Sequence, residues 1–188
     1  IKIRIIKSAL FLLFLLAGLA LIVSCQKDRP KGGLSFTSNG DGTCSVSGFG
    51  LWEQDELIVP SESPNGDRVT AVGNYAFRGA SLKKIVLPDS IESVGISAFD
   101  RCRDLEEITL PDSITYIGYD AFHECSALKE IRIPSKVTEL PYNLFYGCRT
   151  LKRVIIPSSV TEIGDFAFYG CTSLTQVAEE GNDDGETL

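Results

Sequence analysis

Imidazole is nearly missing from this chain of 188 residues, in which His123 is the single histidine. A site that needs two histidines, such as an H-E-x-x-H zinc helix, is therefore excluded. Positive charge is also scarce. Lysine and arginine number 18 against 25 acidic residues, for a net charge of −7. Grasping a nucleic-acid backbone needs clustered Lys and Arg, so that class of partner falls away. No G-x-S-x-G elbow and no phosphate-cradling glycine loop occurs. Asn39-Gly40-Asp41-Gly42 offers the Asp and Gly of a calcium loop without its remaining ligands. The expected class is a non-catalytic protein with no metal and no cofactor.

What is present begins with a leader. Lys2, Arg4 and Lys7 form a positive region, Ser8 to Val23 is almost wholly apolar, and Ile22-Val23-Ser24-Cys25 follows. This reads as a secretory signal over residues 1–24 ending in a bacterial lipobox, with an uncleaved membrane-spanning anchor as the competing reading. In the first reading Cys25 is lipidated and becomes the N-terminus, and two or more acyl chains hold the protein to a membrane. Gln26-Lys27-Asp28 resembles the signal that sends Bacteroidota-type lipoproteins to the outer face of the outer membrane, although Arg29 and Pro30 depart from its acidic pattern. Losing Lys2, Arg4 and Lys7 takes the formal charge from −7 to −10. Residues 25–33 read as a lipidated tether.

The body of the chain is a repeat. IESVGISAFDRCRDLEEITLPDS starts at Ile91, ITYIGYDAFHECSALKEIRIPSK at Ile114, VTELPYNLFYGCRTLKRVIIPSS at Val137 and VTEIGDFAFYGCTSLTQVAEE at Val160, in steps of 23 residues. An earlier copy starts at Val69 and is one residue shorter. Phe77, Phe99, Phe122, Phe145 and Phe168 fall in one column and Leu82, Leu105, Leu128, Leu151 and Leu174 in another. Ile85/Leu87, Ile108/Leu110, Ile131/Ile133 and Val154/Ile156 alternate with polar residues, which predicts a short strand with one face buried. Pro88, Pro111, Pro134 and Pro157 end those strands. Gly73, Gly95, Gly118 and Gly164 predict a turn, followed by a helical or 3-10 turn leading to Phe and Cys. The expected fold is thus a leucine-rich-repeat-like solenoid with a parallel sheet, because a single coil cannot bury its own apolar face and must stack.

Flanking segments complete the layout. Leu34 to Ser38 and Thr43 to Ser47 alternate around Asn39–Gly42, which predicts a hairpin cap. Glu56-Leu57-Ile58-Val59-Pro60 imitates the repeat strand and is the expected first rung, so that 34–68 forms the cap and first rung, 69–178 five repeats and 179–188 an acidic tail.

His123, Glu124 and Cys125 stand side by side like a catalytic or metal cluster. Aligned with the other copies, only the cysteine recurs, and His123 reads as an exposed turn residue. Cys102, Cys125, Cys148 and Cys171 lie 23 residues apart. As one column they spread over about 14 Å at roughly 4.8 Å per rung, too far for one zinc ion. They read as a buried structural ladder of free thiols, with Cys44 also free.

The run AF-x-x-C-x-x-L-x-x-I-x-[LI]-P-x-S-[VI], clearest at Ala98-Phe99, Cys102, Leu105, Ile108, Leu110, Pro111, Ser113 and Ile114, resembles the BspA-type leucine-rich repeats. The resemblance covers residues 34 to 178. It departs at Gly79-Ala80, where the first repeat lacks its cysteine, and at Pro141, which replaces a glycine. Both should loosen single coils without changing the architecture. Proteins of this family sit on or are secreted from anaerobic and gut bacteria, and some take part in adhesion. The resemblance implies a surface-anchored adhesion scaffold for host or microbial proteins. Glycan capture for a polysaccharide uptake system is the first alternative, and a periplasm-facing structural lipoprotein the second. The candidate surfaces are the outer strand face (Lys84, Val86, Glu107, Thr109, Glu130, Arg132, Arg153 and Ile155) and an edge of tyrosines at the turns (Tyr119, Tyr142, Tyr146 and Tyr169).

Overall fold

The structure, a computed structural model, describes residues 33–50 and 54–179. The predicted leader, Cys25, the tether up to residue 32 and the tail over 180–188 lie outside the described residues. The hairpin forms as expected. Strand β1 (Leu34–Ser38) pairs antiparallel with β2 (Thr43–Phe49). At its turn the Asp41 carboxylate accepts from the Thr43 amide at 3.0 Å and from its hydroxyl at 2.6 Å, and these bonds lower the Asp41 pKa.

Each following coil contributes a strand to the first ladder. These are β3 (Glu56–Ile58), β5 (Lys84–Val86), β7 (Glu107–Thr109), β9 (Glu130–Arg132), β11 (Arg153–Ile156) and β13 (Gln176–Glu179), and every pair formed is parallel. Ile85, Ile108, Ile131 and Val154 point inward and are buried. The proline carbonyl after each strand accepts a turn bond three residues on, as from Ile91 to Pro88 and from Ile114 to Pro111, both at 3.1 Å.

A second ladder was not visible in the sequence. It consists of β4 (Arg68–Val72), β6 (Ser93–Val94), β8 (Tyr116–Ile117), β10 (Glu139–Leu140) and β12 (Glu162–Ile163). The cap joins it, because β2 pairs in parallel with β4. The column Gly73, Gly95, Gly118 and Gly164 sits at the ends of these strands. A Cβ on Gly118 would lie 2.6 Å from Ile96 N, and one on Gly164 would lie 2.6 Å from Tyr142 N. Close stacking of backbone on backbone therefore excludes a side chain there. Gly95, Gly118 and Gly164 also donate N–H to the strand end of the coil before, at 2.7–2.8 Å. Pro141 cannot do so, and the ladder breaks there, between β8 and β10. Pro141, expected to loosen its own coil, instead cuts one sheet.

The helical or 3-10 turn expected before each Phe and Cys is absent: among the described residues there is no helix. The segment instead alternates handedness. Tyr75, Ser97, Asp120, Asn143 and Phe166 all have φ of 51–59°, as do Arg101 and Glu124, with Gly79, Gly147 and Gly170 at 70–78°. Successive N–H groups consequently point in alternate directions. The amides of Tyr75, Phe77 and Gly79 donate forward to the carbonyls of Ile96, Ala98 and Asp100, while those of Ala76, Arg78 and Ala80 bond back within their own coil. The same pattern recurs in the next three coils, at Ser97, Asp120 and Asn143 and the residues after them, so the turn is itself a hydrogen-bonded ladder.

Inside the coils the phenylalanines stack. Centroid separations run 5.4 Å (Phe77–Phe99), 5.2 Å (Phe99–Phe122), 5.6 Å (Phe122–Phe145) and 5.6 Å (Phe145–Phe168). Phe49 of the cap continues the row at 5.9 Å from Phe77.

Candidate functional site

On the strand face the register places Lys84 opposite both Glu56 and Glu107, and Arg153 opposite Glu130. Lys84 Nζ lies 3.1 Å from Glu107 and 3.9 Å from Glu56, and its bond to Glu107 raises its pKa. Arg153 lies 3.5 Å from Glu130, and Arg132 reaches Asp112 at 2.7 Å. Lys129 pairs with Glu106, and Lys83 turns to Asp55. Charge on this face is largely matched within the face. Val86, Thr109, Arg132 and Ile155 form the second outward column, headed by the exposed Ile58.

The turn edge is organised differently. Arg78, Asp100, His123, Tyr146 and Tyr169 occupy one column and form a continuous spine. The Asp100 carboxylate accepts from Arg78 Nε at 2.8 Å and meets His123 Nδ1 at 2.7 Å. His123 then stacks on Tyr146, and Tyr146 on Tyr169, each at 5.1 Å between centroids. Two expectations are corrected here. His123 is not an exposed turn residue, because its side chain is 18% accessible, held between the Asp100 carboxylate and the Tyr146 ring. Tyr146 is half-buried by the same stacking, whereas Tyr119, Tyr142 and Tyr169 are exposed. Glu124 is also engaged: it bonds Arg103 at 2.8 Å, which lowers its pKa.

Sequence reasoning missed Phe166. It occupies the left-handed column in which the preceding coils place Tyr75, Ser97, Asp120 and Asn143. Small polar residues tolerate that backbone, and a bulky ring does so at a cost. The residue is 54% exposed, and its ring meets Tyr142 and Tyr169 edge to face at 5.8 and 5.9 Å. Below it Asn143 donates to Asp120 at 3.0 Å, but its buried Oδ1 has no partner among the described residues. The column that would supply a donor holds Phe166 instead. The sequence signal was an aromatic in a column that the three preceding coils fill with Ser97, Asp120 and Asn143.

The cysteine column is buried up to Cys148 and half-buried at Cys171. Each thiol donates to a phenylalanine carbonyl of the preceding coil: Cys102 to Phe77 at 2.9 Å, and Cys125, Cys148 and Cys171 to Phe99, Phe122 and Phe145 at 3.1 Å. Burial raises the pKa of Cys125 and Cys148 strongly and that of Cys171 to about 11. Such thiols are poor nucleophiles. Among the described residues no group of three His, Cys, Asp or Glu is placed to hold a metal ion.

Stacked coils of 22 or 23 residues, a parallel strand face and ladders of Phe, Leu and Cys define a leucine-rich-repeat solenoid, a class that presents extended surfaces for binding. The chain belongs to the BspA-type leucine-rich repeat family, since the model described as "BspA type Leucine rich repeat region" matches residues 67–182 in six copies. A leucine-rich repeat protein from Bacteroides ovatus is similar over 80% of this chain and 41% of its own, at 32% identity and a TM-score of 0.73. A leucine rich cell surface protein from Faecalibacterium prausnitzii is similar over 79% of this chain and 38% of its own, at 31% identity and 0.71. The leucine-rich repeat protein of T. pallidum is similar over 81% of this chain and 83% of its own, at 28% identity and 0.71. The chain therefore spans about two fifths of the length of the first two. No curated protein matches it.

Proposed function

We propose that this is a lipoprotein of the bacterial surface, held in the outer membrane through Cys25, whose solenoid is a non-catalytic scaffold binding protein ligands of host or microbial origin. The cell-surface description of the F. prausnitzii protein and the leader sequence support the location. The observation that carries the binding reading is Phe166. An exposed aromatic held in a left-handed conformation, grouped with Tyr142 and Tyr169, is a costly arrangement that the repeat does not require. Exposed aromatic clusters are the usual anchors of protein contacts. The strand face, with Ile58, Val86 and Ile155, is the secondary contact area.

Protein is favoured over glycan by the direction of stacking. Flat platforms for sugars need free ring faces, and Tyr146 is stacked between His123 and Tyr169 while Phe166 meets Tyr142 and Tyr169 edge to face. Two measurements test the proposal. Proteinase shaving of intact cells removes the solenoid if it lies outside, and protection of it supports the periplasm-facing alternative. Whole-chain binding to a panel of host matrix and bacterial surface proteins is expected to fall at least about tenfold in Tyr142→Ala and Phe166→Ala. Competition by soluble glycans instead would return the reading to glycan capture.

A further inference from the structure

The two parallel ladders treat charge in opposite ways. On the first, acids and bases are matched between coils: Lys84 with Glu107, Lys129 with Glu106, Arg132 with Asp112 and Arg153 with Glu130. On the second, the two positions between the inward residues of each coil read Thr70-Ala71, Glu92-Ser93, Thr115-Tyr116, Thr138-Glu139 and Thr161-Glu162. No lysine or arginine occurs in either column. Glu92, Glu139 and Glu162 are exposed, and among the described residues none has an ion-pair partner. Strands β10 and β12 set Glu139 directly opposite Glu162. Like charges in that register cost stability. The repeat does not demand them, since the earlier coils place Ala71, Ser93 and Tyr116 there. Tyr116 is 47% exposed, and so is Tyr119, three residues on. This face runs along the side of the stack, so coils added at either end would leave it open.

We infer that this side of the second ladder binds a segment of a partner protein rich in lysine and arginine, with its cations on Glu139 and Glu162 and on the rings of Tyr116 and Tyr119. Charge complementarity selects that partner. A guanidinium or ammonium placed between Glu139 and Glu162 removes their repulsion and finds a charged acceptor on each side. The exposed tyrosine next in the column attracts a second cation over its ring.

A single small cation would meet only one of these groups. Glu92, Tyr116, Glu139 and Glu162 belong to four successive coils, a span of about 14 Å at roughly 4.8 Å per coil. A ligand that meets them all carries several cations along a chain. An acidic partner would be repelled, and the matched charges of the strand face offer a basic one no such gain. The inference concerns a different face from that of Phe166 and Tyr169 and stands whether or not their cluster binds.

The test uses the full chain and a labelled oligolysine peptide of about ten residues, long enough at roughly 3.3 Å each to run the length of the face. Saturable binding is expected at physiological ionic strength, weakening as salt is raised. Glu139→Gln with Glu162→Gln should weaken it at least about tenfold and Tyr116→Ala severalfold, while Tyr116→Phe, which keeps the ring, should bind as the wild type does. Glu107→Gln with Glu130→Gln removes the same charge from the strand face and should leave binding unchanged, as should Phe166→Ala at the turn edge. Equal losses in the two double variants overturn the proposal in favour of attraction to net charge alone. Absence of saturable peptide binding also overturns it, and calcium uptake lost in Glu139→Gln with Glu162→Gln would then assign the pair to a metal.

Discussion

Asp100 Oδ1 and His123 Nδ1 lie 2.7 Å apart, joining two successive coils through side chains that sit at the same position of the repeat. The carboxylate is 8% exposed and also holds Arg78. Replacing it with alanine leaves the imidazole of His123 without its partner in a shielded position. Asp100→Ala should cost about 1–3 kcal/mol, read as a lower urea midpoint. His123→Ala should cost less, since Asp100 keeps Arg78. Equal midpoints for the wild type and Asp100→Ala would refute this.

The thiols of Cys125, Cys148 and Cys171 make stability fall at high pH. Their folded pKa values lie above the unfolded value of about 8.5, so the folded state favours the neutral form. Stability is therefore full below about pH 8.5 and declines as pH rises toward and beyond the value of about 11 at Cys171. The slope is roughly 1.4 kcal/mol per pH unit for each thiol titrating only in the unfolded chain. Cys171→Ala should flatten part of the decline, as measured by urea midpoints at pH 8 and pH 10.

Gly118→Ala should be among the costlier single methyl additions. The new Cβ meets Ile96 N at 2.6 Å and Gly95 C at 2.8 Å, both backbone atoms that cannot turn aside. A loss of about 1–3 kcal/mol is expected from overpacking. Gly66→Ala, where φ is +86° and the space is open, should cost about 1–2 kcal/mol from conformation alone. Thermal melts of the two variants check the order.

The phenylalanine row gives a positional test. Phe122 has rings above and below, at 5.2 and 5.6 Å, and is fully buried. Phe122→Ala should cost about 3–5 kcal/mol. Phe168→Ala removes the last ring, which has a neighbour on one side only among the described residues, and should cost clearly less. Comparable losses at both sites would mean that Phe168 is covered in solution.

Much of this architecture could be read from columns 23 residues apart. Phe, Leu and the alternating Ile/Val pairs recur at fixed steps, and burial is what they have in common. The second ladder escaped notice because two residues per coil, as at Ser93–Val94, are too few to show an alternating pattern. The turn was misread as helical because Ala98 and Phe99 suit a helix as well. What decided against it was the left-handed backbone of Ser97 and Arg101, which composition does not reveal. The spine of Arg78, Asp100, His123, Tyr146 and Tyr169 was hidden for another reason. Its members differ from coil to coil, so a search for recurrence passed over a column whose contacts depend on complementary neighbours.

Pro141 cuts the second ladder between β8 and β10, and the first ladder is interrupted one coil earlier, between β7 and β9. The coil from Ile114 to Pro134 is thus tied to its predecessor on one side and to its successor on the other, like a brick laid across two joints. Neither gap lines up with the other, and the turn ladder crosses both. A pull along the axis would find no level at which the sheets part together, so a member of this stack can weaken without becoming a hinge.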